Sequence, residues 1–191
     1  VNESMPRTLG DSVFHVDQID CFVKGDKPIL EYQFPEPDDI QVKVAQNVAQ
    51  LVEDASTIET GIGVIPTTVL EFLSGRKDLG VHTEVMCDAV VDLVEAGVIT
   101  NNKKTLHQGK IITSFCMGTR KLYDFVHNNP GVEFHPTEYV NDPYIIARND
   151  RMTAINVALE VDITGQVASD SIGYRFYSGI GGQVDFIRGA G

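Results

Sequence analysis

From Asp39 onward, apolar residues recur at changing periods. Ile40, Val44, Val48, Leu51 and Val52 fall at helical spacing and predict one packed helix face to about Asp54, with Asp38 or Asp39 as its cap. Thr57–Thr60 then reads as a strand, Gly61–Pro66 as a turn, and Thr67–Ser74 as a helix, with Thr68 and Glu71 spaced for a capping box. Leu79 and Val81 predict a strand ending in a polar His82-Thr83-Glu84 tip, and Asp88 opens a helix to Ala96. A polar loop, Thr100–Lys110, carries Lys103 and Lys104 as a solvated pair.

Downstream the alternation continues. Ile111–Met117 is a buried-strand pattern, Thr119 caps a helix with Leu122, Phe125 and Val126 inward, and Val132–His135 is a short strand. Asp142-Pro143 starts a short helix to about Arg148, and Met152–Val161 reads as one strand containing Asn156. Asp162–Gln166 is a hairpin-like turn into Val167–Asp170, and Ser178–Gln183 is a second glycine turn before the apolar run Val184–Ile187. Strand and helix alternate without a fixed-period repeat, which predicts an α/β fold, an open and mostly parallel sheet flanked by helices. Before it, Val13–Val16 and Ile19–Val23 read as short strands, and the Pro-rich, acidic stretch Gln33–Asp39 as a linker. The expected division is residues 1–37 as the end of a preceding domain plus linker, and 38–191 as the main domain.

Composition narrows the partners. A net charge of −12 argues against nucleic acid and anionic membranes, so an anionic ligand must be held by local donors such as helix N-termini and glycine turns. No apolar run approaches the roughly 18 residues of a membrane-spanning helix. Cys21, Cys87 and Cys116 are dispersed, which predicts reduced, mostly buried thiols and a cytoplasmic or organellar-matrix setting.

The candidate chemistry centres on Glu84. Strand ends feeding helices are where α/β sheets place ligands, and glycines let a backbone approach them. One reading is a dinucleotide site with Glu84 on a ribose hydroxyl, weakened by Pro66 where a third glycine belongs. The other is acyl transfer, with Glu84 as a carboxylate nucleophile beside N–H donors from Gly61–Ile65 and Gly179–Gly182. The histidines are scattered, fit no Ser-His-Asp set and lack zinc spacing.

Long ordered blocks then carry a resemblance. GIGVIP, GVHTEVMCDAVVDLVEAGVIT, KTLHQGKIITSFCMGTRKLYDFV, INVALEVDITGQVASDSIG and YSGIGGQVDFIRGA resemble the acetyl-CoA hydrolase/transferase family, in particular its 4-hydroxybutyrate CoA-transferase branch. The resemblance implies a C-terminal CoA-binding domain with Glu84 as the nucleophile that forms a glutamyl-CoA thioester. It implies CoA contacts at Gly61, Ile62, Gly63, Val64 and Ile65, with Asn156, Gly181 and Gly182 near the thioester. Val64 and Ala89 stand where the family pattern has glycine. CoA and acyl-CoA are implied as substrates, exchanged with a short carboxylate such as acetate, butyrate or 4-hydroxybutyrate, with no permanent cofactor, ATP or metal. A homo-oligomer that requires an N-terminal acid-binding half is implied as well; the start at Val1 and the stop at Gly191 fit an excised piece. The alternatives are an acetyl-CoA hydrolase and a non-catalytic CoA- or dinucleotide-binding module.

Overall fold

A computed structural model describes residues 1–191. Five parallel strands form the central sheet. β1 (Thr57–Thr60) is followed by β2 (Gly80–Met86), β3 (Ile111–Cys116), β4 (Val132–Phe134) and β5 (Met152–Ile155), in the spatial order β4-β3-β2-β1-β5. The chain steps outward from β1 to β4 and then returns to place β5 on the other side of β1. The β1/β5 boundary is therefore the topological switch point, where open α/β sheets bind ligands beyond the carboxyl ends of their strands. The expected α/β fold is the one found.

Helices cover both faces. α1 (Asp39–Leu51), α2 (Val64–Glu71), α3 (Asp88–Glu95) and α4 (Arg120–Val126) share the larger core with Ile58, Val81, Ile111 and Val132 from the sheet. α5 (Thr137–Val140), α6 (Pro143–Ile146) and α7 (Gln183–Ala190) lie on the opposite face. There Ile112, Val140, Ile146 and Phe186 form a second, much smaller core. Because both faces are covered, the middle strand is buried almost throughout, and Glu84 is the one half-buried position in β2. Two antiparallel hairpins follow β5: β6 (Glu160–Val161) with β7 (Val167–Ala168), and β8 (Ser171–Ile172) with β9 (Arg175–Phe176). No helix is long and apolar enough to cross a membrane.

Several boundaries depart from the sequence reading. In α1, Asp38 caps Ile40 and Gln41 while Gln41 returns a bond to the Asp38 amide. The buried stripe is Ala45, Ala49 and Val52, whereas Ile40 and Leu51 face outward, because the small alanines let α1 lie close on α2. α2 begins at Val64 rather than Thr67, and Thr68 donates to the Val64 carbonyl instead of capping. β2 continues past Glu84 to Met86, so the carboxylate sits inside the strand. The stretch Met152–Val161 is two strands, and Asn156 lies just beyond the first. The strands expected before residue 24 do not form. That region holds a single 3-10 turn, Val16–Gln18, with Val13, Phe14 and Val23 exposed. Gly10 instead bridges to Phe134 and occupies part of the open edge of β4. Cys21 is exposed and Cys116 half-buried, so only Cys87 matches the buried expectation. Lys104 is buried, not solvated: its Nζ donates to the carbonyls of Val81 at 2.7 Å and Lys110 at 2.8 Å. Burial pushes that ammonium down to about 7.

Candidate functional site

Alternation along β2 sends Val81 into the larger core and turns His82 and Glu84 toward the α5–α7 face. His82 is fully buried, with Nε2 2.8 Å from the Val140 carbonyl. A carbonyl only accepts, so Nε2 carries the proton. Burial holds the ring down at about 4, which makes it a neutral spacer and not an acid or base.

Two residues further, Glu84 Oε2 accepts the Gly182 amide at 3.0 Å. Gly182 is the N-cap of α7, which has no side-chain cap, so this backbone donor is spent on the carboxylate. A Cβ at Gly182 would run into Glu84 Oε2 and the buried Asn141 amide, so this approach requires glycine. α7 is held by Phe186, which is completely buried. Gly181 is exposed with open space around it, and the second glycine turn opens a helix and does not end a strand. Of the two glycines expected here, only Gly182 touches Glu84.

The first turn leaves β1 at the switch point. The Gly61 amide donates to Ile155 O at 2.9 Å, and a Cβ on Gly61 would lie 2.7 Å from Asn156 Oδ1. Gly63 has φ of +139°, a conformation that favours glycine, and it precedes α2 with no side-chain cap. Because Pro66 has no amide hydrogen, Val64 and Ile65 are the first-turn residues whose amides point from this end of α2. Ile62 is exposed, while Ile65 packs against the larger core and offers only backbone.

A further acid, missed in the sequence, links these pieces. Glu59 of β1 is 2% exposed, and its Oε2 accepts from Asn156 Nδ2 at 2.8 Å and the Ile155 amide at 3.2 Å. Burial, with a smaller contribution from the nearby Glu84 charge, pushes its carboxyl up to about 8. At neutral pH Glu59 is mostly protonated and adds little negative charge beside Glu84. Thr83 fills the gap where the β1–β2 ladder parts, accepting from the Thr60 amide at 3.3 Å. The available signal for Glu59 was a charged residue inside the expected strand Thr57–Thr60, which the structure buries at all four positions.

The arrangement thus places one half-buried carboxylate, a backbone N–H aimed at it, an uncapped helix start and an oriented asparagine around the carboxyl ends of β1, β2 and β5. Residues 118–191 match the acetyl-CoA hydrolase/transferase C-terminal domain. The chain is 55% identical over its whole length to 4-hydroxybutyrate coenzyme A transferase of Clostridium kluyveri, covering 44% of that relative. It is 48% identical to the succinyl-CoA:acetate/propanoyl-CoA:succinate CoA transferase of Fasciola hepatica, again over its full length and 40% of the relative. Relatives named acetyl-CoA hydrolase match at lower identity and over less of the chain. The solved structure of 4-hydroxybutyrate CoA-transferase from Porphyromonas gingivalis superposes with a TM-score of 0.87 at 42% identity, over 99% of this chain and 45% of that one. The chain therefore spans less than half the length of these relatives. With its parallel sheet, its switch-point turn and this similarity along its full length, the chain belongs to the acetyl-CoA hydrolase/transferase family.

Proposed function

We propose that this chain carries the nucleophile and the CoA-binding turns of a CoA-transferase that moves CoA between an acyl-CoA and a short carboxylate. The observation that carries the reading is the half-buried Glu84 carboxylate held by the Gly182 amide. Glu84 attacks the thioester carbonyl, the C–S bond breaks, and an acyl-glutamyl anhydride forms as CoA thiolate leaves. The thiolate then attacks the glutamyl carbonyl, releasing the first carboxylic acid as its anion and leaving a glutamyl-CoA thioester. An incoming carboxylate reverses these steps and departs as the new acyl-CoA. One thioester replaces another, so the cycle consumes no nucleotide.

In this scheme the Gly182 amide faces the oxygen on which negative charge develops when the glutamyl carbon becomes tetrahedral, as an oxyanion donor does. Asn156, oriented by Glu59, faces the same region, while Gly61–Ile65 supply backbone for the CoA moiety. The C. kluyveri and P. gingivalis relatives support 4-hydroxybutyrate as one acid partner. Transfer is favoured over hydrolysis because the transferases match at higher identity along the whole chain. The remainder of a longer protein, self-association and a cytoplasmic setting belong to the same proposal.

The test is to incubate the full-length protein with acyl-CoA, reduce with borohydride and map the modified peptide. A glutamyl adduct on the peptide spanning Val81–Met86, absent from Glu84→Gln, is expected. Glu84→Asp withdraws the carboxylate by one methylene, a misplacement of about 1 Å that costs roughly a hundredfold in rate. Full transferase activity in Glu84→Gln without an adduct overturns the mechanism. Calorimetry showing tight NAD binding and no CoA binding would restore the dinucleotide reading.

A further inference from the structure

Away from Glu84, the fold gathers three further ligating side chains from two segments, with supporting groups from two more. Glu133 lies on β4 and His135 just after it, two residues apart and on the same face. The 100–110 loop brings His107 over them, and the ligating atoms of all three lie within 4.8 Å of one another. Glu133 Oε2 is 3.6 Å from His107 Nδ1 and 3.3 Å from His135 Nε2. Ligands at about 2.0–2.1 Å from a tetrahedral ion stand about 3.3–3.4 Å apart. Both spacings are within a few tenths of an ångström of that edge.

The far side of each ring is also occupied. His107 Nε2 is 2.6 Å from the Tyr139 hydroxyl, and His135 Nδ1 is 2.7 Å from Asp11 Oδ2. A hydroxyl or carboxylate behind each ring is the support that orients metal-binding histidines and fixes their tautomer. Asp11 only accepts, so a proton on His135 sits on Nδ1, while Nε2 faces Glu133 Oε2 at 3.3 Å, where either a second proton or a metal cation can bridge the two atoms.

Opposing charges are present and modest. Lys110 Nζ stands 3.6 Å from Glu133 Oε1, on the oxygen away from the histidines, and Arg148 acts on His107 from farther off. Lys104 is spent on two carbonyls, with its ammonium pushed down to about 7 by burial. Burial, then Lys104 and His135, hold His107 below its ordinary value, which favours the neutral ring a metal needs.

We propose that His107 Nδ1, Glu133 Oε2 and His135 Nε2 form a site for a first-row divalent cation of the Zn2+ type, with Asp11 and Tyr139 as positioning residues. The cation would pin the N-terminal segment and the 100–110 loop to the edge strand, a role separate from the Glu84 chemistry.

Full-length protein stripped with chelator is titrated with Zn2+ by calorimetry and with Co2+ by absorption, in a Cys21→Ser background to remove the exposed thiol. One equivalent of Zn2+, a four-coordinate Co2+ spectrum without thiolate charge transfer, and a metal-dependent rise in Tm are expected. His135→Ala should abolish all three. Asp11→Asn should weaken affinity about 10–100-fold with unchanged circular dichroism. If His135→Ala does not fold, Asp11→Asn and Glu133→Gln decide the matter in its place. No bound equivalent in the wild type, or undiminished binding in those variants, overturns the site and leaves imidazolium–carboxylate pairs.

Discussion

The Gly182 amide and the Glu84 carboxylate, 98 residues apart in sequence, meet at 3.0 Å. Gly182→Ala tests how narrowly that contact is built. The added methyl collides with Glu84 Oε2 and the Asn141 amide, so α7 must shift and withdraw the donor. A folded variant with transferase activity reduced on the order of a hundredfold is expected, since misplacement of about 1 Å has that effect. Steady-state kinetics beside a melting curve would check it; wild-type kcat would remove Gly182 from the machinery.

Glu59→Gln should change how stability depends on pH. The folded carboxyl titrates near 8 and the unfolded one near 4.5, so the native state binds more protons between those values. Stability from this group is therefore intact below about 4.5 and falls as pH rises to about 8, by at most about 1.4 kcal/mol per unit. His82, held at about 4, and Lys104, held at about 7, produce slopes of the opposite sign, but both are common to the two proteins. The difference between variant and wild type isolates Glu59. Urea denaturation from pH 5 to 8.5 should show Glu59→Gln gaining on the wild type as pH rises; parallel curves would contradict a protonated Glu59.

Gly63→Val should weaken CoA binding and lower Tm together. At φ of +139° a β-branched residue is strained by roughly 1–3 kcal/mol, and straightening the turn re-aims the Val64 and Ile65 amides. Calorimetry with CoA on the folded fraction separates the two effects. Unchanged affinity would make this turn structural only.

Gly80→Ala probes the buried lysine. Its Cβ would meet the Lys104 stem, with Cδ at 2.9 Å, and displace Nζ from the carbonyls it satisfies. A loss of about 1–3 kcal/mol is expected, typical of overpacking. Chemical denaturation checks it, and an unaltered midpoint would show that the stem has room to move.

Much of the sheet was legible because its strands write themselves as short β-branched or apolar runs followed by glycine turns. Thr57–Thr60, Ile111–Cys116 and the helix from Asp88 fall where their patterns place them. What misled was pattern without partner. Val13–Val16 and Ile19–Val23 read as short strands but have no ladder to join, and α1 offers two apolar stripes of which only the alanine one fits against α2. At the site, Glu84 and the glycine turns were visible as residues, whereas Glu59 and Asn141 were not, and elsewhere Lys104 read as solvated. Their significance lies in burial, which neighbouring residues do not encode. The contact between His107 and His135 was hidden for a related reason: two strands and a helix separate residues that the sheet edge brings together.

The division of the core into a large and a small half has a consequence for motion. α7 rests on Phe186 and on Gly189, whose missing side chain lets it sit against Ile146 and Pro143. Few apolar side chains hold this layer, so its opening free energy should lie well below that of the five-stranded sheet. Amide exchange in α7 should then proceed by local opening while β2 and β3 exchange only on global unfolding. Each such opening would remove the Gly182 donor from Glu84, so that, on the proposed function, assembly of the site is a reversible equilibrium that a bound acyl-CoA would pull closed.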